Sequence, residues 1–159
     1  MAFVAFSSIS AQAIDQIQVT DKILIDGSDF TAAVTIEQVK ELLGEPDRAT
    51  QAANVIYTWD QQGITAYTRR DSDQVIEICL QLKKEIYPFS PAASFAGTIT
   101  VAGVRLASDT AGADLEAAGF KKETVFEAYS YRYASDTVNV NLDTVHNRLG
   151  WTRVSILYR

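Results

Sequence analysis

Three closely spaced runs in the first half of the chain alternate apolar and polar residues. Val55-Ile-Tyr-Thr-Trp59, residues 63–68 and residues 75–82 are separated by Asp60-Gln-Gln-Gly63 and Arg70-Asp-Ser-Asp73. Alternation bounded by turn formers predicts strands, and short connections between consecutive strands predict an antiparallel meander. Upstream, Ile17-Gln-Val-Thr-Asp-Lys-Ile-Leu-Ile-Asp-Gly27 reads as one or two strands closing on an Asp-Gly turn. Between these regions the period changes to that of a helix. Thr35 stands three residues before Gln38, the spacing at which a threonine N-cap and a glutamine exchange backbone hydrogen bonds, and Ile36, Val39 and Leu43 then share one face. Gly44 and Pro46 end the helix after about two turns, so packing on a sheet has to hold it.

The same order of signals recurs. Residues 99–106 read as a strand, 114–118 as a weaker helix ending at Gly119, and 128–133, 137–142 and 153–158 as strands. Thr35 to Gly44 superposes on Thr110 to Gly119 at an offset of 75, and Tyr57-Thr-Trp59 on Tyr131-Arg-Tyr133 at an offset of 74. Repetition at such a period dictates architecture first. The expected fold is α+β: a tandem duplication of a β-α-β-β-β unit whose short helices pack on one face of a largely antiparallel sheet. Residues 17–84 and 97–159 are the two repeats of a single domain spanning 14–159, joined by a linker over 85–96 that holds Pro88, Pro91 and several small side chains. Val138, Val140 and Leu142 alternate with Asn139, Asn141 and Asp143, which predicts a sheet with one packed face and one wet face.

Composition narrows the function more than the fold. The chain has 159 residues, 47% of them apolar and 21% charged, enough for a core without metal or disulfides. Cys79, the sole cysteine, sits in an alternating run and reads as a packed, inert thiol. Fourteen basic against 20 acidic residues give a net charge of −6, which excludes binding nucleic acid through its phosphates and favours a basic partner. Most of the excess lies in the first repeat: residues 1–84 hold 12 acids and 7 bases, residues 85–159 hold 8 and 7. Residues 1–13 end in Ala11-Gln-Ala13, the small-x-small pattern of a signal-peptide cleavage site without the basic region that precedes one. They are either the remnant of a secretory signal, placing the protein in the periplasm or outside the cell, or a short apolar strand of a cytoplasmic protein. No run of about 18 apolar residues predicts a membrane span.

No residue set names a reaction. His146 is a candidate general base without a visible nucleophile or second ligand, and Asp26-Gly-Ser-Asp29 matches a fragment of a calcium loop but reads as a turn. Neither a cofactor nor a metal is expected. Glu37, Glu41, Glu45 and Asp47 form an acidic stripe around the first helix, either a solvated face or a surface for a basic partner. Tyr57, Trp59, Tyr131, Tyr133 and Trp151 are either core aromatics or, if they face outward, anchors of a protein interface; Asp60 follows Trp59 at a turn.

Two resemblances arise from these residues. Leu42-Leu-Gly-Glu-Pro-Asp47, after a short helix and before a meander, resembles the repeat of small bacterial envelope proteins of the SmpA/OmlA (BamE) type. Paired copies of a similar unit build the β-lactamase-inhibitor-protein fold, although those units open with two helices and this one opens with strands. The whole chain is also similar to an uncharacterised bacterial family, through Leu42-Leu-Gly-Glu-Pro-Asp-Arg48, Tyr57-Thr-Trp-Asp-Gln-Gln-Gly-Ile64 with Ala66-Tyr67, and Phe95-Ala-Gly-Thr-Ile-Thr-Val-Ala-Gly103. That resemblance implies a small bacterial binding protein. The expected function is therefore non-enzymatic: an immunity or inhibitor protein that binds and neutralises a secreted, basic-surfaced toxin. The alternative is a periplasmic or envelope accessory protein that binds a small ligand, and a hydrolase using His146 is a third class. The oligomeric state is not legible.

Overall fold

The computed structural model describes residues 13–32, 34–85, 87–125, 128–143 and 151–158. Its larger sheet consists of two four-stranded antiparallel meanders placed edge to edge. One contains β4 (Arg48–Gln51), β5 (Val55–Trp59), β6 (Ile64–Thr68) and β7 (Val75–Gln81), the other β10 (Lys121–Val125), β11 (Ala128–Ala134), β12 (Val138–Asp143) and β13 (Arg153–Tyr158). They join where β7 pairs antiparallel with β13, giving the order β10-β11-β12-β13-β7-β6-β5-β4. The smaller sheet runs β3 (Ser28–Asp29), β2 (Ile23–Ile25), β1 (Gln16–Val19), β8 (Thr98–Val101), β9 (Val104–Leu106). At its centre β1 and β8 run parallel, with Ile17 opposite Ile99 and Val19 opposite Val101.

Two short helices complete the fold, α1 (Ile36–Leu43) and α2 (Gly112–Ala117). The capping box forms as the sequence predicts: Thr35 Oγ1 accepts from the Gln38 backbone N–H and the Gln38 side chain accepts from that of Thr35. A single apolar cluster joins Ile17, Val19, Ile23 and Ile25 of the small sheet, Ile36, Val39 and Leu43 of α1, and Ile64, Ile78, Leu80, Val140, Leu142, Val154 and Ile156 of the large one. The strand period of two sends the intervening residues of the large sheet to its opposite face. There stand Thr65 and Tyr67, Cys79 and Gln81, Arg153 and Ser155, and Asn141 and Asp143.

The expected α+β class, with helices packed on one face of a single sheet, is corrected by this arrangement. The chain is β-rich, with two sheets of five and eight strands and only two short helices among the described residues. Two physical causes account for the difference. Residues 28–29, 48–51 and 121–125 carry no apolar alternation because they form sheet edges, where polar side chains suffice. The strands that open the two halves, meanwhile, pair with each other instead of joining the meanders. Residues 99–106, expected as one strand, form a hairpin: Ala102 and Gly103 both take positive φ, 48° and 83°, as a two-residue turn matched to strand twist requires.

Candidate functional site

The segment expected to be a passive linker is laid across the polar face of the large sheet and fastened there. Arg48 is the main fastener. Its guanidinium donates to both carboxylate oxygens of Asp60, each at 2.9 Å, and to the carbonyl oxygens of Pro88 and Ser90, each at 2.8 Å. Asp60 also accepts from the Ala92 N–H at 3.0 Å, and its own N–H donates to Asp47 Oδ2 at 2.6 Å. Farther along, Gln81 donates its side-chain amide to the carbonyls of Pro91 and Ala93, at 3.0 and 2.8 Å, while the Phe95 N–H donates to Gln81 O at 2.7 Å. Gly63 lets this strap come so close: a Cβ there would stand 2.2 Å from Phe95 N and 2.5 Å from Ser94 C.

Between the strap and the sheet lies a cleft of about 280 Å³. Thr65, Tyr67, Cys79, Gln81 and Arg153 form its floor, and Glu85, Tyr87, Phe89, Ser90 and Pro91 its strap side. Cross-strand register builds the floor in rows. Cys79 stands opposite both Thr65 and Ser155, while Arg153 stands opposite Gln81 on one side and Asp143 on the other. The thiol contacts Ser155 Oγ at 3.3 Å and Glu77 Oε1 at 3.0 Å. Burial, and then the Glu77 carboxylate, push the Cys79 thiol well above its ordinary range, so it stays protonated, the opposite of what a nucleophile requires. Burial likewise lifts the Tyr67 phenol. It also lifts the Asp143 carboxyl, against the pull of Arg153 at 3.6 Å.

The sequence-predicted site residues are distributed elsewhere. Glu37, Glu41, Glu45 and Asp47 are exposed, but two of them share a cation: Lys40 Nζ lies 2.9 Å from Glu37 and 3.7 Å from Glu45, and 5.9 Å from the centre of the Tyr57 ring. Trp59 is 2% exposed and its indole N–H donates to Gly44 O, so it closes the end of α1 from inside the core. Tyr131 and Trp151 are buried edge to face with centroids 5.4 Å apart; Tyr131 donates to Glu116 and Trp151 to Thr110 O. Tyr133, partly buried, packs on Phe120. Buried rings offer no anchor to a partner, so among these aromatics the core alternative describes Trp59, Tyr131 and Trp151. Asp60 does more than shape a turn, since it holds the strap. His146 and residues 1–12 lie outside the described residues.

Sequence reasoning missed Gln81, Glu85, Tyr87, Phe89 and Arg153. The available signal was two large aromatic residues within a proline-containing stretch, Tyr87-Pro-Phe89, which are 51% and 40% exposed in the fold. Among the described residues no group of three or more His, Cys, Asp or Glu side chains is placed to hold a metal, and no helix is long and apolar enough to cross a membrane.

A family model described as a domain of unknown function, DUF7738, matches residues 16–116, which include the strap and every residue that fastens it. No curated protein matches the chain. Among solved structures, an extracellular protein containing an SCP domain from Bacillus anthracis strain Ames is 10% identical over 82% of this chain and 47% of its own, with a TM-score of 0.49. A cysteine-rich secretory protein from Staphylococcus aureus Mu50 is 11% identical over 81% of this chain and 45% of its own, with a TM-score of 0.43. The chain spans about half the length of these solved proteins.

Proposed function

The chain belongs to the DUF7738 family, a domain of unknown function, and from that premise we propose that it is a non-enzymatic protein-binding module. Its sharpest form is an immunity or inhibitor protein that neutralises a secreted bacterial toxin by occupying it. The observation that carries this reading is the exposure of Tyr87 and Phe89 on a strap fastened at Arg48, Asp60 and Gln81. Aromatic side chains dominate interface energetics, and a backbone already fixed loses little entropy on binding. The net charge of −6 and the exposed Glu41, Glu45 and Asp47 favour a basic partner and speed its approach. Two four-stranded meanders in one sheet support a tandem repeat, and the cleavage-like Ala11-Gln-Ala13 supports a periplasmic or secreted location. A second reading, an envelope accessory protein binding a small ligand, is favoured by the cleft alone.

Affinity capture from lysate of the native bacterium tests the proposal, using the tagged protein and its Tyr87→Ala/Phe89→Ala variant side by side. A stoichiometric partner that the variant loses, and whose toxicity on expression is relieved by the wild-type protein, is the expected result. Equal capture by both proteins would remove the aromatic pair from the interface.

A further inference from the structure

The chain leaves the polar floor of the cleft incompletely used. Gln81, only 4% exposed, points its amide nitrogen at two strap carbonyls, and those two acceptors fix which way round the amide sits. Its Oε1 is left without a partner. Glu85, on the strap, accepts from Ser90 through Oε2 and leaves Oε1 unpartnered. Charge points the same way: among the described residues Asp143, Glu85 and Glu77 all act on the guanidinium of Arg153. Buried acceptors without donors, in a region with surplus negative charge, call for an occupant rich in donors and positively charged. At about 280 Å³ the cleft is at the small end of ligand pockets, which begin at roughly 300 Å³, so it suits a single side chain. Tyr67 in its floor and Tyr87 and Phe89 at its rim supply aromatic faces over which a cation is attracted.

We propose that this cleft receives one cationic side chain, arginine or lysine, of a basic partner protein. The assignment rests on the protein-binding reading above and names the chemistry that reading requires. A guanidinium brings five donors and no acceptor, and the aliphatic stem of either side chain would lie between the rings of the rim. Arg153 does not oppose this arrangement, because its guanidinium already lies 3.6 Å from the Asp143 carboxylate.

The test is an NMR titration of the full chain with three acetylated and amidated tripeptides, Gly-Arg-Gly, Gly-Lys-Gly and Gly-citrulline-Gly, the last being the neutral isostere of the first. Saturable shifts of the Gln81 side-chain amide and the Arg153 backbone amide are expected with a cationic peptide, with the citrulline peptide about tenfold weaker. Glu85→Gln should weaken the cationic peptide about tenfold while leaving the urea midpoint unchanged. Equal binding of citrulline, shifts confined to other residues, no binding, or full affinity in Glu85→Gln would each overturn the assignment. If a partner is captured through Tyr87 and Phe89 but no peptide shifts Gln81, the protein-binding reading stands and the cleft assignment falls. Peptide binding at Gln81 with no protein captured overturns that reading, and with it the attribution of the side chain to a partner.

Discussion

Replacing Arg48 by methionine keeps the aliphatic stem and removes the fastening of the strap. Four hydrogen bonds go with it, two to Asp60 and one each to Pro88 O and Ser90 O, all between 2.8 and 2.9 Å. Hydrogen bonds to charged groups are worth about 1.5–3 kcal/mol each when sheltered, whereas exposed ion pairs are worth about 0–1. Arg48 and Asp60 lie between these limits, with side chains 35% and 22% exposed, so solvent screening reduces the sum to about 3 kcal/mol. For a chain of this length that corresponds to a fall in Tm of about 6–12 °C. Asp60→Asn keeps the shape and the bond from Ala92, and should cost about 1.5 kcal/mol. Because both changes break one contact, the double variant should lose about 1–2 kcal/mol less than the sum of the single losses. Urea unfolding of the four proteins measures this coupling, and hydrogen exchange at Ala92, Ala93 and Phe95 locates it. Losses that add to within about 0.4 kcal/mol would refute the latch.

Gly63→Ala should destabilise by about 4 kcal/mol or more, because its Cβ meets strap backbone that cannot turn aside; Gly27→Ala, at a similar φ of 82° but in open space, should cost only about 1–2 kcal/mol of backbone strain in the same urea assay. Hydrogen bonding from Arg48, against a contrary push from burial, holds the Asp60 carboxyl below its ordinary 3.8. The unfolded chain therefore takes up this proton first as pH falls: the contribution is complete above about pH 4 and is lost below it, so Asp60→Asn should flatten the acid limb of a stability profile and leave the alkaline limb unchanged. Cys79, buried on the cleft floor with its thiol pushed towards the protonated form, should react with a thiol reagent at pH 8 far more slowly in the folded protein than in urea; equal rates would contradict its placement.

Local order was legible wherever one residue pattern decided it. The strands at 55–59 and 153–158 have the bounds that alternation predicts, and α1 begins at the predicted Thr35 cap and ends at Gly44. What escaped was pairing between distant segments. Nothing local marks Ile17 as the parallel neighbour of Ile99, since a buried strand reads the same in either sheet. Ala102-Gly103 conceals a turn because alanine rarely accepts positive φ. The site was hidden for a related reason. The strap has no periodicity of its own; its order comes from Arg48 and Asp60, about 30 to 40 positions earlier, and each of these already had a local explanation as a loop or turn residue. Arg153 and Gln81 become neighbours only when the two meanders meet.

The parallel pairing of β1 with β8 also sets a schedule for synthesis of the chain. Ile17 and Ile99 are 82 positions apart (99 minus 17), so closing that contact in a flexible chain costs about 4 kcal/mol of entropy, whereas each hairpin closes over a few residues. At roughly 5–20 residues per second, β1 leaves the ribosome about 4–16 s before β8 exists. During that interval its only strand partner is β2, and a two-stranded hairpin is barely stable by itself. Ile17 and Val19, fully buried at the end, lack the cover of Ile99 and Val101 for those seconds, beside an open strand edge. The nascent chain is thus most prone to aggregate before its hundredth residue emerges, and slower elongation lengthens the exposure.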